Sequence, residues 1–293
     1  MIVVILAVLG LCMGSFVNAV VWRIKQQSLV NSRQSSVKKK KSAALSTIDK
    51  RLSTQNLSIL QGRSQCTDCG HQLAPKDLIP VLSWLFLRGR CRYCKKPISP
   101  QYPVVELVLA VVFLASYLFW PNDLGQQGQW LLLATWLGSS VGLLALLIYD
   151  LKWMLLPNRI LYPTFFVALT GRLGYILFFA SQKALSLELL ALSLLVASGI
   201  FYLLFYLSKG RWIGYGDVRL GLITGTVLGK PSLSLLMIFI ASVLGTLFAV
   251  PALLAGRKTM VSKLPYGPFL IAATAFTLLW GGQIINWYKS LLT

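Results

Sequence analysis

The sequence predicts an all-α polytopic membrane protein of about eight transmembrane helices, and three observations carry that prediction. The 293 residues are 56% hydrophobic with a mean hydropathy of +0.69, too apolar for an ordinary soluble domain. The apolar residues come in long blocks rather than amphipathic stripes, as lipid-embedded helices require. The charge is one-sided: 28 Lys and Arg against 8 Asp and Glu give +20, and 16 of the 28 lie between Arg23 and Pro100. A soluble chain so basic would point to nucleic acid. In a membrane chain the placement of cations sets orientation instead, and no nucleic acid is expected as a partner.

The first block, Ile2 to Trp22, has about the 20 residues a spanning helix needs. A cleaved signal peptide carries positive charge before its apolar core; here Arg23 and Lys25 follow it. Residues 1–22 therefore read as a retained helix with its N-terminus outside. Cys12, Ser15 and Asn18, spaced by three, share one face with Gly14 nearby. That face should look into a helix bundle, as packing contacts or as part of a site. Residues 23–100 form the one long polar segment. From Lys25 to about Ser64 it is rich in Ser, Gln, Asn and Lys, with four lysines at 38–41, and reads as a linker that can rest on anionic membrane lipids.

Two Cys-x-x-Cys knuckles follow, Cys66 with Cys69 and Cys91 with Cys94, separated by 21 residues. Each pair can place two thiolates on one ion, so the spacing fits a structural four-cysteine zinc site between helices 1 and 2. A cytosolic location disfavours disulfides. The segment is too small to fold on apolar burial alone, and metal binding would supply the missing free energy. His71 reads as a neighbour of the site or a surface residue, not a ligand.

The membrane portion, 101–293, resumes with apolar runs at about 103–120, 130–149, 160–180, 187–207, 218–229, 232–254 and 266–288. With the N-terminus outside, the inner parts (23–100, 150–159, 208–219, 255–264) hold 24 Lys and Arg, and the outer connections only Lys183, Lys230 and Lys289. That is a positive-inside pattern. Apart from Arg219 at the inner edge of 218–229, Arg172 alone falls within a run. Residues 218–229 are too short for the roughly 30 Å hydrocarbon layer, so a short crossing with a wet mouth is expected there.

Beyond the basic segment only Glu106, Asp123, Asp150, Glu188 and Asp217 are acidic. Asp150 and Asp217 meet the same inner boundary, beside Pro157-Asn158 and Gly214-Tyr215-Gly216 respectively. Within about 5 Å of each other, two carboxyls cannot easily both ionise, and one activates water while the other donates a proton. This is the chemistry of aspartic proteolysis. The local alternatives are pairing of Asp150 with Lys152 and Asp217 with Arg219, or Asp217 serving as a helix N-cap. Gly214 and Gly216 would leave room for an extended substrate backbone, and Glu106 would meet a basic substrate segment.

Six motifs in order then resemble the type IV prepilin leader peptidase/N-methyltransferase family. They are Gly14-Ser15-Phe16-Val17-Asn18 with Arg23; the block from Ser64 to Arg92 with both knuckles; Tyr102-Pro103 with Glu106; Asp150 with Leu156-Pro157-Asn158; Gly214-Tyr215-Gly216-Asp217; and Pro265-Tyr266-Gly267-Pro268-Phe269-Leu270. The resemblance implies cleavage of basic leaders from prepilins and pseudopilins at the cytosolic face of the bacterial inner membrane, with Asp150 and Asp217 catalytic. It makes Gly14, Asn18, Arg23, Glu106, Gly214 and Gly216 substrate-binding or positioning candidates. It also implies N-methylation of the new N-terminus from S-adenosylmethionine, for which no donor site is legible. Lys152 and Thr67 depart from the family pattern. The rival readings are an ion-coupled transporter, a thiol oxidoreductase and a noncatalytic zinc-bearing scaffold.

Overall fold

The computed structural model describes residues 1–39, 64–254 and 265–292. Residues 40–63, which take in the second half of the lysine run and most of the 25–64 linker, the inner loop 255–264 and residue 293 lie outside the described residues. The chain divides into two compact units, Met1–Val111 and Val112–Thr293, and the division falls inside a helix.

In the first unit, α1 spans Ile2–Lys39. It runs past Trp22, the expected end of the first segment, because residues 23–39 contain no Gly or Pro and several good helix formers. The next described part is a short-helical segment: a 3₁₀ turn at Pro75–Asp77 and α2 at Leu82–Phe86. α3, Gln101–Leu118, begins in this unit and ends in the other. Gly14 lets α1 and α3 touch, since a Cβ there would lie 2.5 Å from the Glu106 Cα.

The second unit is a helix bundle. α4 (Gln129–Trp153) packs against α5 (Asn158–Phe178). α6 (Lys183–Leu194) passes through a π-turn at Leu195–Gly199 into α7 (Ile200–Ser208). α8 (Tyr215–Leu228) is short; α9 (Pro231–Leu254) packs against α10 (Gly267–Ser290). Among the described residues seven helical stretches are long and apolar enough to cross a membrane, α6 and α7 counting as one. The chain is thus an all-α polytopic membrane protein.

The eighth segment, α8, is the element the bundle closes around. Its 14 residues touch α5, α6, the π-turn, α7, α9 and α10. Nine of them are buried, on all sides of the helix. Gly221 and Gly225 permit this, because a Cβ at either would meet the Ala197 or Ser193 carbonyl oxygen at 2.4 and 3.0 Å. Ser193 and Ser198 of the flanking helix donate to the carbonyls of Gly225 and Val218. Where α8 stops short, Arg172 of α5 donates from Nε and Nη2 to the Thr226 and Val227 carbonyls at 3.1 and 2.6 Å. A buried helix end needs such donors.

Candidate active site

Three motifs converge at one end of the second unit. Asp150 lies in the last turn of α4, which closes at Met154 in a left-handed conformation. Pro157 then takes the N-cap position of α5 in an extended conformation, so Leu156, Pro157 and Asn158 form a tight connection beside the acid. Asp150 is buried, 5% exposed. One oxygen side faces the backbone N–H of Gly267 at the start of α10. Its Oδ2 has no hydrogen-bond partner among the described residues. A buried unsatisfied carboxylate oxygen is rare in a purely structural role.

Asp217 is the third residue of α8, and Gly214, not Asp217, is the N-cap. Its carboxylate reaches back to the Gly214 backbone N–H, while its own N–H donates to the Gly214 carbonyl at 3.1 Å. The charge of Asp150 acts on Asp217, and the charge of Asp217 acts on Tyr266, the residue before α10.

The contacts between motifs are specific. The Arg219 guanidinium donates to Asn158 Oδ1 and lies 4.5 Å from the Tyr215 ring centroid. Lys152 lies over the Trp153 ring at 5.8 Å. Among the described residues neither cation forms an ion pair with an acid: Arg219 is held by Asn158 and Tyr215, and Lys152 lies over Trp153. Gly216 sits on Leu156, where a Cβ would come within 3.0 Å of its side chain, so it serves packing; exposed Gly214 meets nothing nearer than 3.7 Å. Gly267 matters most: a Cβ there would lie 2.6 Å from Asp150 Oδ2. Sequence reasoning recognised the motif that contains Gly267 but gave it no task, because its role is a contact between distant helices.

In the first unit the two knuckles are built alike. Cys66 N–H donates to the His71 carbonyl and Cys91 N–H to the Lys96 carbonyl, both at 2.9 Å. Each loop turns through a left-handed residue, Gly70 or Lys95, and is closed by an antiparallel bridge, Gln65 with Gln72 or Arg90 with Pro97. The four Sγ atoms lie within 4.8 Å of one another, Cys66 and Cys94 at 3.9 Å. A tetrahedral zinc–thiolate site has sulfur edges of about 3.8 Å, so the set fits. The Cys94 N–H holds the Cys91 thiol down at about 7 against the effect of burial. For Cys94 the Lys96 N–H pulls downward, but burial and the neighbouring thiols outweigh it and push it up to about 11. Four crowded thiols resist ionising together, and a divalent cation removes that conflict. His71 is exposed, stacks near Tyr93 with centroids 3.7 Å apart, and is not in the cluster. Burial raises the Asp77 carboxyl, yet the Arg92 hydrogen bond and charge, with Ala74 N–H and Tyr93 OH, hold it below its ordinary value.

The remaining expected positions are also in the first unit, with tasks of their own. Glu106, expected to meet a basic substrate, is buried and accepts the Val81 N–H at 2.7 Å and the Ser15 hydroxyl. Val81 holds φ at 59°, a strained value for a β-branched residue, so the carboxylate fixes the start of α2. Asn18 donates to the Tyr102 carbonyl at 3.1 Å and accepts from Gln101 at 3.3 Å. Arg23 is buried. Gly14 packs on the Glu106 backbone, whereas Cys12, expected on the same inward face, is exposed.

Comparison with known proteins places the chain in a family. A family model described as the bacterial peptidase A24 N-terminal domain matches residues 8–120, and one described as the type IV leader peptidase family matches 131–250. A prepilin leader peptidase/N-methyltransferase from Aeromonas hydrophila is 31% identical over 281 residues, 95% of this chain and 91% of the relative. One from Pseudomonas aeruginosa is 32% identical, covering 96% and 91%. One from Burkholderia pseudomallei strain K96243 is 34% identical, covering 94% and 84%. No solved structure matches.

Proposed function

The chain belongs to the type IV leader peptidase family, and from that premise we propose that it is a membrane aspartic endopeptidase with Asp150 and Asp217 as its catalytic pair. Its substrates are type IV prepilins and pseudopilins, cut between a basic leader and an apolar helix. The observation that carries this reading is the meeting of Leu156-Pro157-Asn158, the Gly-x-Gly-Asp start of α8 and Gly267 around Asp150 and Asp217, with the charge of Asp150 felt at Asp217.

In the reaction one carboxyl is ionised and takes a proton from water as the oxygen attacks the scissile carbonyl. The other, protonated, donates to the carbonyl oxygen. Return of a proton to the leaving nitrogen breaks the C–N bond and gives a free carboxyl and a free amine. Gly214, open at the start of α8, is where an extended substrate backbone passes beside Asp217. Gly267 holds Asp150 and keeps its Oδ2 clear of any side chain.

The pair works at the inner face of the bacterial inner membrane, with the N-terminus outside and the knuckles cytosolic, as the positive-inside pattern supports. Cys66, Cys69, Cys91 and Cys94 hold a structural zinc, which supplies folding free energy to their segment. The relatives' names carry the second activity, methylation of the new N-terminus with S-adenosylmethionine as donor. No set of the described residues is assigned to that donor, and no step is derived through it.

The test is incubation of the purified protein in detergent with a prepilin and S-adenosylmethionine, followed by mass analysis of the product. A pilin that has lost its leader at one bond supports the peptidase, and an added methyl group supports the second activity. An intact prepilin, with the enzyme folded and zinc-loaded, would remove the peptidase reading.

A further inference from the structure

The second unit holds a cavity of about 600 Å³ at the end of the bundle opposite the two acids. Its wall is formed where α4 begins, where α5, α8 and α10 end, and where α9 begins, with Arg172, Lys230 and Lys289 among its lining residues. No Asp or Glu lines it. The charge pattern makes this convergence informative. The outer connections of the chain carry only three lysines, Lys183, Lys230 and Lys289, and the spans, apart from Arg219 at the inner edge, one arginine. Two of those three lysines and the single arginine meet in one cavity. Cations on the outer side run against the charge rule; Lys230 and Lys289 are exposed and Arg172 is half-buried. Arg172 uses Nε and Nη2 on the α8 carbonyls, and a guanidinium has five N–H donors in all.

Most of the lining is apolar, Leu132, Leu189, Leu233, Leu278 and Leu279 included. Trp120 and Asn122 also line the cavity, and both donate to Gln129 Oε1. A free anion needs the cations but not the leucines. We propose that this cavity binds one anionic phospholipid, its phosphate between Arg172, Lys230 and Lys289 and an acyl chain along the leucines. The site is independent of peptide cleavage, and binding would brace α8 from the end remote from Asp217.

The test uses the full chain in neutral detergent, with native mass spectrometry following titration by phosphatidylglycerol, by phosphatidylcholine of the same acyl chains, and by inorganic phosphate. The wild type should take up one phosphatidylglycerol about tenfold more tightly than phosphatidylcholine, and inorganic phosphate should bind far more weakly than either. Lys230→Gln with Lys289→Gln should abolish the preference. Lys230→Arg with Lys289→Arg, which keeps the charge, and Lys183→Gln, away from the cavity, should retain it. Equal affinity for the two lipids, or a preference that survives the double Gln variant, would overturn the proposal. Inorganic phosphate binding as tightly as phosphatidylglycerol would overturn the lipid assignment in favour of a free-anion site.

Discussion

Single residues set the geometry of the acid pair, and two of them give sharp tests. The Cβ of Gly267→Ala would lie 2.6 Å from Asp150 Oδ2, so the carboxyl must move. Displacements of that size cost about 10²-fold in rate when reacting groups must align. The variant should express and bind zinc as the wild type does, yet process prepilin about 10²-fold more slowly; a normal rate would show that Asp150 tolerates the shift. Glu106 makes the opposite case. Glu106→Gln keeps an oxygen for the Val81 N–H and should leave thermal stability and leader preference nearly unchanged. Glu106→Ala leaves that N–H unpaired and should destabilise by about 1–3 kcal/mol in thermal unfolding of the purified protein. If Glu106→Gln instead lost activity only on leaders rich in lysine, Glu106 would be reading substrate charge.

Among the elements, α8 is the one whose placement matters most. It is short for a crossing, buried all round, with Asp217 in its first turn and its far end held by Arg172. Arg172→Met removes both donors from the Thr226 and Val227 carbonyls and should lower the unfolding temperature and the processing rate together. Arg172→Lys should rescue only part of the loss, since one ammonium does not reproduce the guanidinium fork. Full activity in Arg172→Met would mean that α8 is positioned by its packing alone. The knuckle segment depends on metal in a comparable way. Chelation, or Cys91→Ser, should release zinc and expose residues 64–100 to protease; unchanged protease resistance without metal would show that the segment folds unaided.

At the scale of the whole molecule, much of the architecture was legible because it rests on composition and short spacing. From residue 101 onward the apolar blocks marked the helices to within a few residues, the knuckle spacing marked the four-thiol cluster, and the sparse acids pointed to Asp150 and Asp217, whose catalytic role is a proposal. What was not legible depends on contacts between distant segments. Nothing local in Glu106 shows that it accepts the Val81 N–H, and nothing local in Arg172 shows that it caps a helix 54 residues away. The Gly-x-Gly motif read as an open passage, but only Gly214 is open, since Leu156 occupies the space beside Gly216. The apolar block ending at Trp22 does not show how far the helix itself runs, because helix formers without Gly or Pro carry α1 on to Lys39.

The central claim is that the two carboxyls, one closing α4 and one opening α8, act as one catalytic unit. Its most direct measurement is prepilin processing by Asp150→Asn, Asp217→Asn and the double variant, each checked for zinc content and thermal unfolding. The account predicts that each single variant is folded, metal-loaded and unable to cleave, with the double variant no worse than either. Efficient processing by either single variant would contradict it.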